Sequence, residues 1–351
     1  MSYIAKPKVA HPNMARNKLG LTVRDYEGSI STLCAGCGHD SITAAIIQAV
    51  FELGLEPHRL AKMSGIGCSS KTPAYFVSQS HGFNAVHGRM ASVTTGANAA
   101  NRQLKYIGVS GDGDSLSIGM GQFAHAIRRN VDMCYIIENN GVYGLTKGQY
   151  SASADIGSVA RKAAPNQLAP IDPVSTAISL GATYIARSFS GDKQQLVPLI
   201  QGALTHKGFA LVDVISPCVT FNDNAGSTKS YAHTRKHFNR VMDADYIEPS
   251  EEIVVAYQEG EAMPVHLHDG SKIIFRKLNK DYDATSRAAA FSFLRDSINR
   301  GEIITGMLFL DEDASDMHSD RNTVETPLAH LSYEDLKPDD SSLVELMNRY
   351  R

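Results

Sequence analysis

The pattern with the clearest chemical meaning in this 351-residue sequence is segment 111–115, Gly-Asp-Gly-Asp-Ser, together with the later Asn140. The two glycines allow the backbone to approach a phosphate group closely. Asp112 and Asn140 offer hard oxygen ligands, and Mg²⁺ prefers a few such ligands together with phosphate oxygens. The pattern therefore predicts a site for a diphosphate and Mg²⁺, whereas Gly-Asp-Gly alone would more often be an ordinary turn.

Apolar segments precede both parts of this pattern. Residues 106–110 and 133–137 predict buried strands, with a helix between them over residues 118–127. In open α/β folds, ligands bind at the edge where the carboxyl ends of parallel strands meet. Further strands are predicted over residues 60–63, 83–86, 183–186, 209–215, 272–277 and 305–310. The loops that follow some of them carry Cys68, His87, Arg89 and Cys218, which we expect at the same edge.

Helices are predicted between these strands from apolar runs and capping signals. Asp40 or Ser41 is expected to cap a helix over residues 42–53, and Pro73 favours a helix over residues 74–78. Other helices are predicted over residues 93–104, 173–180, 194–206, 234–242, 287–299 and 343–350, and a mobile acidic loop over 311–326. Strands alternating with helices indicate an α/β fold with a mostly parallel sheet and helices on both faces.

Composition and charge argue against several classes of function. The formal net charge of −3 gives no strong electrostatic case for binding nucleic acid or an anionic membrane. The sequence lacks an apolar run long enough to span a bilayer, and residues 1–16 are polar and basic, unlike a secretory signal. We therefore expect a cytoplasmic protein that binds neither nucleic acid nor membrane.

Four of the five cysteines are predicted to lie in loops, and Cys134 is predicted to be a core residue because its strand is apolar. The loop cysteines are Cys34, Cys37, Cys68 and Cys218. A Cys-x-x-Cys motif before a helix is typical of a thioredoxin-like dithiol, half of a zinc site or two iron–sulfur ligands. A thioredoxin-like dithiol needs a buried strand before the motif, and residues 25–32 do not supply one. A zinc site usually has a further Cys-x-x-Cys or a His pair, and the sequence has neither. Four loop thiols match one [4Fe–4S] cluster, although the Cys-x-x-Cys spacing alone leaves all three open.

Several motifs together resemble those of a known family. Gly-Asp-Gly followed at a distance by Asn-Asn resembles the thiamine diphosphate motif. Segments 33–39 (Leu-Cys-Ala-Gly-Cys-Gly-His), 65–71 (Gly-Ile-Gly-Cys-Ser-Ser-Lys) and 215–218 (Ile-Ser-Pro-Cys) resemble the β subunit of 2-oxoacid:ferredoxin oxidoreductases. The resemblance covers roughly residues 20–240 and is strongest to the 2-oxoglutarate enzymes.

This resemblance implies cofactors and their ligands. It assigns Mg²⁺ to Asp112, Asn140 and the carbonyl of Val142, and a [4Fe–4S] cluster to the four loop cysteines. Contacts with thiamine diphosphate are expected from Gly67, Cys68, Ser69, His87, Arg89, Gly111, Asp112, Gly113, Asp114, Asn140, Val142, Gly144 and Leu145. Of these, His87 and Arg89 suit a surface position nearly as well.

The implied reaction is a reversible oxidative decarboxylation of a 2-oxoacid with coenzyme A, in which electrons pass through the cluster to ferredoxin. With 2-oxoglutarate the products would be succinyl-CoA and CO₂. Lys71, Leu145 and Lys147 are expected in the substrate pocket, where two lysines suit a dicarboxylate, although most lysines are solvated surface residues.

The resemblance also implies a partner. Thiamine enzymes use a glutamate to activate the thiamine ring, and the sequence has no glutamate in a matching context. An α subunit is therefore expected to supply it, in an α₂β₂ complex. The alternatives are specificity for pyruvate or a branched 2-oxoacid, a non-redox thiamine diphosphate decarboxylase or synthase, and a zinc-stabilised scaffold without enzymatic activity.

Three regions are expected along the chain. Residues 1–30 form an N-terminal arm, and residues 31–218 form the domain that binds thiamine diphosphate and the cluster. Residues 219–351 form an irregular C-terminal extension, packed on this domain or on the partner subunit.

Overall fold

The computed structural model describes residues 11–158, 164–220, 253–266, 272–337 and 339–351. Within these ranges the strands are β1 (Leu60–Ser64), β2 (His81–Asn84), β3 (Lys105–Gly111), β4 (Met133–Asn139), β5 (Val142–Tyr143), β6 (Gln149–Tyr150), β7 (Tyr184–Phe189), β8 (Phe209–Ile215), β9 (Ala262–His266), β10 (Lys272–Lys277) and β11 (Glu302–Leu310). The helices are α1 (Gly38–Leu53), α2 (Met90–Ala100), α3 (Met120–Arg128), α4 (Pro173–Leu180), α5 (Lys193–Thr205), α6 (Arg287–Asn299), α7 (Met317–Arg321), α8 (Tyr333–Leu336) and α9 (Asp340–Asn348).

One sheet organises the described residues. Its nine strands run in the order β2-β1-β3-β4-β8-β7-β11-β10-β9. The first six strands in this order, β2, β1, β3, β4, β8 and β7, are all parallel, so their carboxyl ends meet at one edge. β11 pairs antiparallel with β7 and parallel with β10, and β9 pairs antiparallel with β10. The mostly parallel sheet predicted from the sequence is therefore confirmed.

Helices cover the sheet on both faces, because its central strands are apolar on both sides. In β4, Tyr135 and Ile137 pack in a cluster with residues of α3, α4 and α6. Cys134 and Ile136 point the other way, into a cluster with α1 and α5. Strands buried on both faces are expected to be almost continuously hydrophobic. Cys134 is only 2% exposed, which confirms its predicted place in the core.

The last third of the chain is more regular than the sequence predicted. β9, β10 and β11 extend the main sheet, and a small cluster that contains Phe189, Ile215 and Phe275 joins them to the parallel strands. Residues 311–326, predicted as a loop, include the short helix α7, for which Asp316 accepts the capping hydrogen bond from Ser319. The helix predicted over residues 234–242 lies outside the described residues.

Near the site, the predicted start of the helix over residues 42–53 and the helix predicted over residues 74–78 were wrong. α1 begins at Gly38, before Asp40 and Ser41, and a Cβ atom on Gly38 would come within 2.5 and 2.6 Å of the hydroxyl oxygens of Ser190 and Ser216. Residues 74–78 do not form a helix, and a 3₁₀ turn over Ser69–Ala74 precedes them. Their backbone instead pairs with the N-terminal segment, since the amide of Val77 donates to the carbonyl of Tyr26 at 2.6 Å.

The N-terminal arm packs on its own chain from Asn17 onward. Tyr26 is fully buried, and its hydroxyl donates to the carbonyl of Leu55 at 2.8 Å. The amide of Asn17 donates to the carbonyl of Phe51, at the end of α1. Residues 1–10 lie outside the described part. Among the helices described, none has the length and apolar character needed to cross a membrane.

Phe275→Ala tests whether the C-terminal strands fold with the rest of the sheet. Phe275 is fully buried, and its ring lies 4.6 Å from that of Phe189, centroid to centroid. Truncating a buried phenylalanine costs about 3–5 kcal/mol. We expect the free energy of unfolding, measured with urea, to fall by this amount in one cooperative transition. Val254→Ala, at an exposed position, is the control; a separate early transition in the Phe275 variant would show that the strands form an independent unit.

Candidate cofactor site

A cavity opens at the carboxyl edge of β1, β3 and β4, where the sequence predicted a site. The predicted residues that line it are Gly67, Cys68, Ser69, His87, Gly111, Asp112, Gly113, Asp114, Asn140, Val142, Gly144 and Leu145. His39, Ile66, Glu138, Tyr143 and Thr146 also line it and were not predicted. Arg89, Lys71 and Lys147 lie outside its lining. The fold thus brings together residues from five separate segments of the chain.

Asp112 and Asn140 follow neighbouring strands and both are buried. The Oδ2 atom of Asp112 accepts hydrogen bonds from the amide of Gly141 at 3.0 Å and from the hydroxyls of Ser151 and Ser153. The Oδ1 atom of Asn140 accepts from the amide of Val142 at 3.0 Å. A carboxylate, an amide oxygen and a backbone carbonyl on one cavity wall are a donor set that suits Mg²⁺.

Asp114 has a different role from the neighbouring Asp112. Its Oδ1 atom accepts from the amides of Ile66 at 3.2 Å and Gly88 at 2.7 Å, and also lies against the Nδ1 atom of His87. Its Oδ2 atom accepts from the hydroxyl of Ser110 at 2.6 Å. Asp114 therefore holds the loops after β1 and β2 against the start of the 113–118 π-helical turn.

Glycines at this edge permit close packing. A Cβ atom on Gly111 would come within 2.7 Å of the Ser69 hydroxyl oxygen, and one on Gly113 within 2.5 Å of the Tyr143 ring. Gly67 has a φ of +138°, which side-chain-bearing residues rarely adopt. These positions keep the cavity wall at backbone level, as a phosphate cradle requires.

The buried pair His39 and Glu138 is the part of the cavity that sequence reasoning missed. His39 Nδ1 lies 2.8 Å from the hydroxyl oxygen of Ser216 and 3.5 Å from Glu138 Oε2. Glu138 also accepts from the hydroxyl of Thr72 at 3.0 and 3.1 Å. Burial raises the pKa of Glu138 well above its usual value and lowers that of His39 to about 4. The only sequence signals were a histidine directly after the Cys-x-x-Cys-Gly motif and a glutamate ending an apolar strand.

The four loop cysteines are thiols and influence one another. Burial raises the pKa of Cys37 and, to about 11, that of Cys68. The charge of Cys218 contributes to both increases, and that of Cys34 to the increase at Cys68. Among the described residues, no group of three or more His, Cys, Asp and Glu side chains has the arrangement to hold a metal ion. These effects indicate that Cys218 lies near both Cys37 and Cys68, and that Cys34 lies near Cys68.

The residues predicted to bind substrate are divided between two places. Leu145 lines the cavity and is 46% exposed, and Lys147 follows it on the same loop with a φ of +78°. Lys71 lies near Cys68 instead, since its charge lowers the pKa of that thiol against the effect of burial. Arg89 donates to Gln122 at 3.3 Å. Both lysines thus lie outside the cavity lining, each on a segment that contributes other residues to it.

Comparison with known proteins agrees with this geometry. Residues 65–214 match the family model described as the C-terminal thiamine pyrophosphate-binding domain of thiamine pyrophosphate enzymes. A solved 2-oxoglutarate:ferredoxin oxidoreductase from Magnetococcus marinus, with 2-oxoglutarate, coenzyme A and succinyl-CoA bound, superimposes with a TM-score of 0.72 at 29% identity. The match covers 95% of this chain and 97% of that one.

Curated relatives carry related names. The 2-oxoacid:ferredoxin oxidoreductase subunit beta of Saccharolobus solfataricus is 42% identical over 59% of this chain and 66% of its own length. The 2-oxoglutarate oxidoreductase subunit KorB of Mycobacterium tuberculosis is 39% identical over 55% of this chain, and the match spans only 51% of that relative. The 2-oxoglutarate synthase subunit KorB of Methanocaldococcus jannaschii is 34% identical over 63% of this chain and 84% of its length. The chain belongs to the family of 2-oxoacid:ferredoxin oxidoreductase β subunits.

Proposed function

We propose that this chain is the β subunit of a 2-oxoglutarate:ferredoxin oxidoreductase and binds thiamine diphosphate, Mg²⁺ and one [4Fe–4S] cluster. The observation that carries the proposal is the shared wall of the cavity, where Asp112 and Asn140 lie beside Cys68. A diphosphate–metal site next to converging thiols suits an enzyme that decarboxylates an oxoacid and removes electrons from the product. A non-redox thiamine enzyme has no use for the thiols.

The residues present fit the cofactors. Asp112, Asn140 and the Val142 carbonyl would hold Mg²⁺, and Cys34, Cys37, Cys68 and Cys218 would hold the cluster. Thiamine diphosphate, when bound, supplies a nucleophilic ring carbon and stabilises the charge left by decarboxylation. The cluster, when bound, accepts electrons one at a time. This chain contributes orientation and exclusion of water, because Asp112, Asn140 and Glu138 are all buried.

A partner subunit is proposed to complete the site. Glu138 is already hydrogen-bonded to Thr72 and lies against His39, so we do not assign it the activation of the thiamine ring. Large apolar side chains are exposed on the cavity lining (Ile66 and Leu145), in β2 and directly after it (Phe83 and Val86), and at the end of the 113–118 turn (Ile118). Exposed apolar surface of this kind marks a protein interface. We propose that the α subunit covers it and supplies the glutamate, in an α₂β₂ complex with ferredoxin as electron acceptor.

The substrate assignment rests on Lys147 and on the relatives' names. Lys147 carries a cation on the loop that lines the cavity mouth, and its left-handed backbone conformation points to a constrained position. A second carboxylate on the substrate would find a charged partner there. Two of the relatives described are named for 2-oxoglutarate, as is the solved structure. The expected cytoplasmic location stays a prediction.

The reaction is tested with the chain and its α subunit co-purified without oxygen. We expect coenzyme A-dependent reduction of a viologen dye with 2-oxoglutarate, little reduction with pyruvate, and none by this chain alone. Strong turnover with pyruvate would overturn the substrate assignment while keeping the chemistry. No reduction by protein that contains iron and thiamine would favour the non-redox alternative.

Lys147→Gln tests the carboxylate partner. Loss of a hydrogen bond to a charged group costs roughly 1.5–3 kcal/mol, so kcat/KM for 2-oxoglutarate should fall by about 10- to 100-fold. Activity with 2-oxobutyrate, which lacks the distal carboxylate, should hardly change. Lys207→Gln, an exposed lysine before β8 at the opposite edge of the sheet, is the matched control. Equal losses on both substrates would rule out this role for Lys147.

A further inference from the structure

The two carboxylate oxygens of Asp112 have different surroundings. The hydrogen bonds that the described residues donate to this side chain all end on Oδ2: from the amide of Gly141, the hydroxyl of Ser151 and the hydroxyl of Ser153. With three donors, Oδ2 has little capacity left for a metal ion. Oδ1 is the oxygen left to face a cation.

The two serines reach Asp112 from a loop far along the chain. Ser151 and Ser153 follow β6 and are each 5% exposed, and they belong to a turn in which the amide of Ala154 donates to the carbonyl of Ser151 at 3.1 Å. The backbone of Ala152, the residue between them, is held by a hydrogen bond at its amide and another at its carbonyl. The amide of Ala152 donates to Ser117 at 3.1 Å, and its carbonyl accepts from the amide of Ile171 at 2.8 Å. The serine hydroxyls are therefore held in place by the backbone.

A second layer of buried polar groups supports Ser153. Its hydroxyl has one proton, for which Asn139 Oδ1 at 2.9 Å is an alternative acceptor to Asp112, and the Asn139 side-chain amide donates to Asp213 at 3.1 Å. Arg187 donates from Nε to Asp213 at 2.7 Å and also pairs with Asp172, the residue that caps α4. This chain of contacts links Ser153 at the cavity to the residue that caps α4.

We propose that Ser151 and Ser153 are positioning residues that hold Asp112 as a one-oxygen ligand and thereby favour Mg²⁺ over Ca²⁺. The inference rests on the proposed function, since it requires the metal site there. Mg²⁺ demands near-octahedral geometry and usually keeps water, whereas Ca²⁺ takes more oxygen ligands and accepts two-oxygen carboxylates. Occupying Oδ2 with three donors disfavours the two-oxygen mode. Removing a serine hydroxyl would free Oδ2 of Asp112. The carboxylate could then bind Ca²⁺ through both oxygens, and its one-oxygen orientation toward Mg²⁺ would be held less firmly.

The test measures binding of thiamine diphosphate to the αβ complex, stripped of cofactor with a chelator, by calorimetry in MgCl₂ and in CaCl₂. Changes in groups that orient metal ligands typically cost 10- to 100-fold in affinity. Ser151→Ala and Ser153→Ala are each expected to weaken Mg²⁺-supported binding by about this factor and Ca²⁺-supported binding much less. The ratio of the affinity for thiamine diphosphate in MgCl₂ to the affinity in CaCl₂ should therefore decrease. Ser153→Thr, which keeps the hydroxyl, should restore it.

Ser158→Ala is the matched control. Ser158 lies in the same loop and is 3% exposed, and its hydroxyl oxygen has no hydrogen-bond partner among the described residues, so neither affinity should change. An unchanged Mg²⁺-to-Ca²⁺ ratio in the Ser151 and Ser153 variants, or equal losses with both ions, would overturn the inference. Failure of the wild-type complex to bind thiamine diphosphate with either ion would instead overturn the proposed site. Circular dichroism and co-purification with the α subunit verify that each variant is folded.

Discussion

The buried carboxylate of Asp112 is the interaction on which the site depends. Asp112 is 1% exposed, and an ionised carboxylate removed from water is stable only when donors or a cation compensate it. The donors come from residues that directly follow β4 and from the loop after β6. The cavity wall can therefore form only when the sheet edge and that loop are assembled together. Local sequence alone cannot create this site.

Three carboxyl groups on the same cavity wall have different environments and therefore different uses. Asp112 collects donors on one oxygen, and Asp114 accepts from the loops after β1 and β2. Glu138 is fully buried, and desolvation keeps its pKa well above the ordinary range. Differences in surroundings of this kind give carboxyl groups of one site different roles.

Structural features that depend on a few neighbouring residues were predicted correctly from the sequence. The apolar runs of β3, β4 and β8 and the capped helix α4 were identifiable because burial and capping leave local signals. The predictions were wrong or incomplete where contacts between distant parts of the chain determine the structure. Residues 74–78 pair with the N-terminal segment instead of forming a helix, and β9–β11 join the main sheet by pairing far along the chain. His39 and Glu138 were missed because a single buried polar residue has no periodic signature.

Cys68 belongs both to the lining of the proposed thiamine diphosphate site and to the four cysteines proposed as cluster ligands. It lines the cavity with Asp112 and Asn140, and its thiol also responds to the charges of Cys218 and Cys34. The other three cysteines lie outside the cavity lining. If the proposed cofactors bind as their ligands suggest, Cys68 is a cluster ligand in direct contact with the thiamine pocket. Electrons leaving the pocket would then reach the cluster without crossing an intervening side chain.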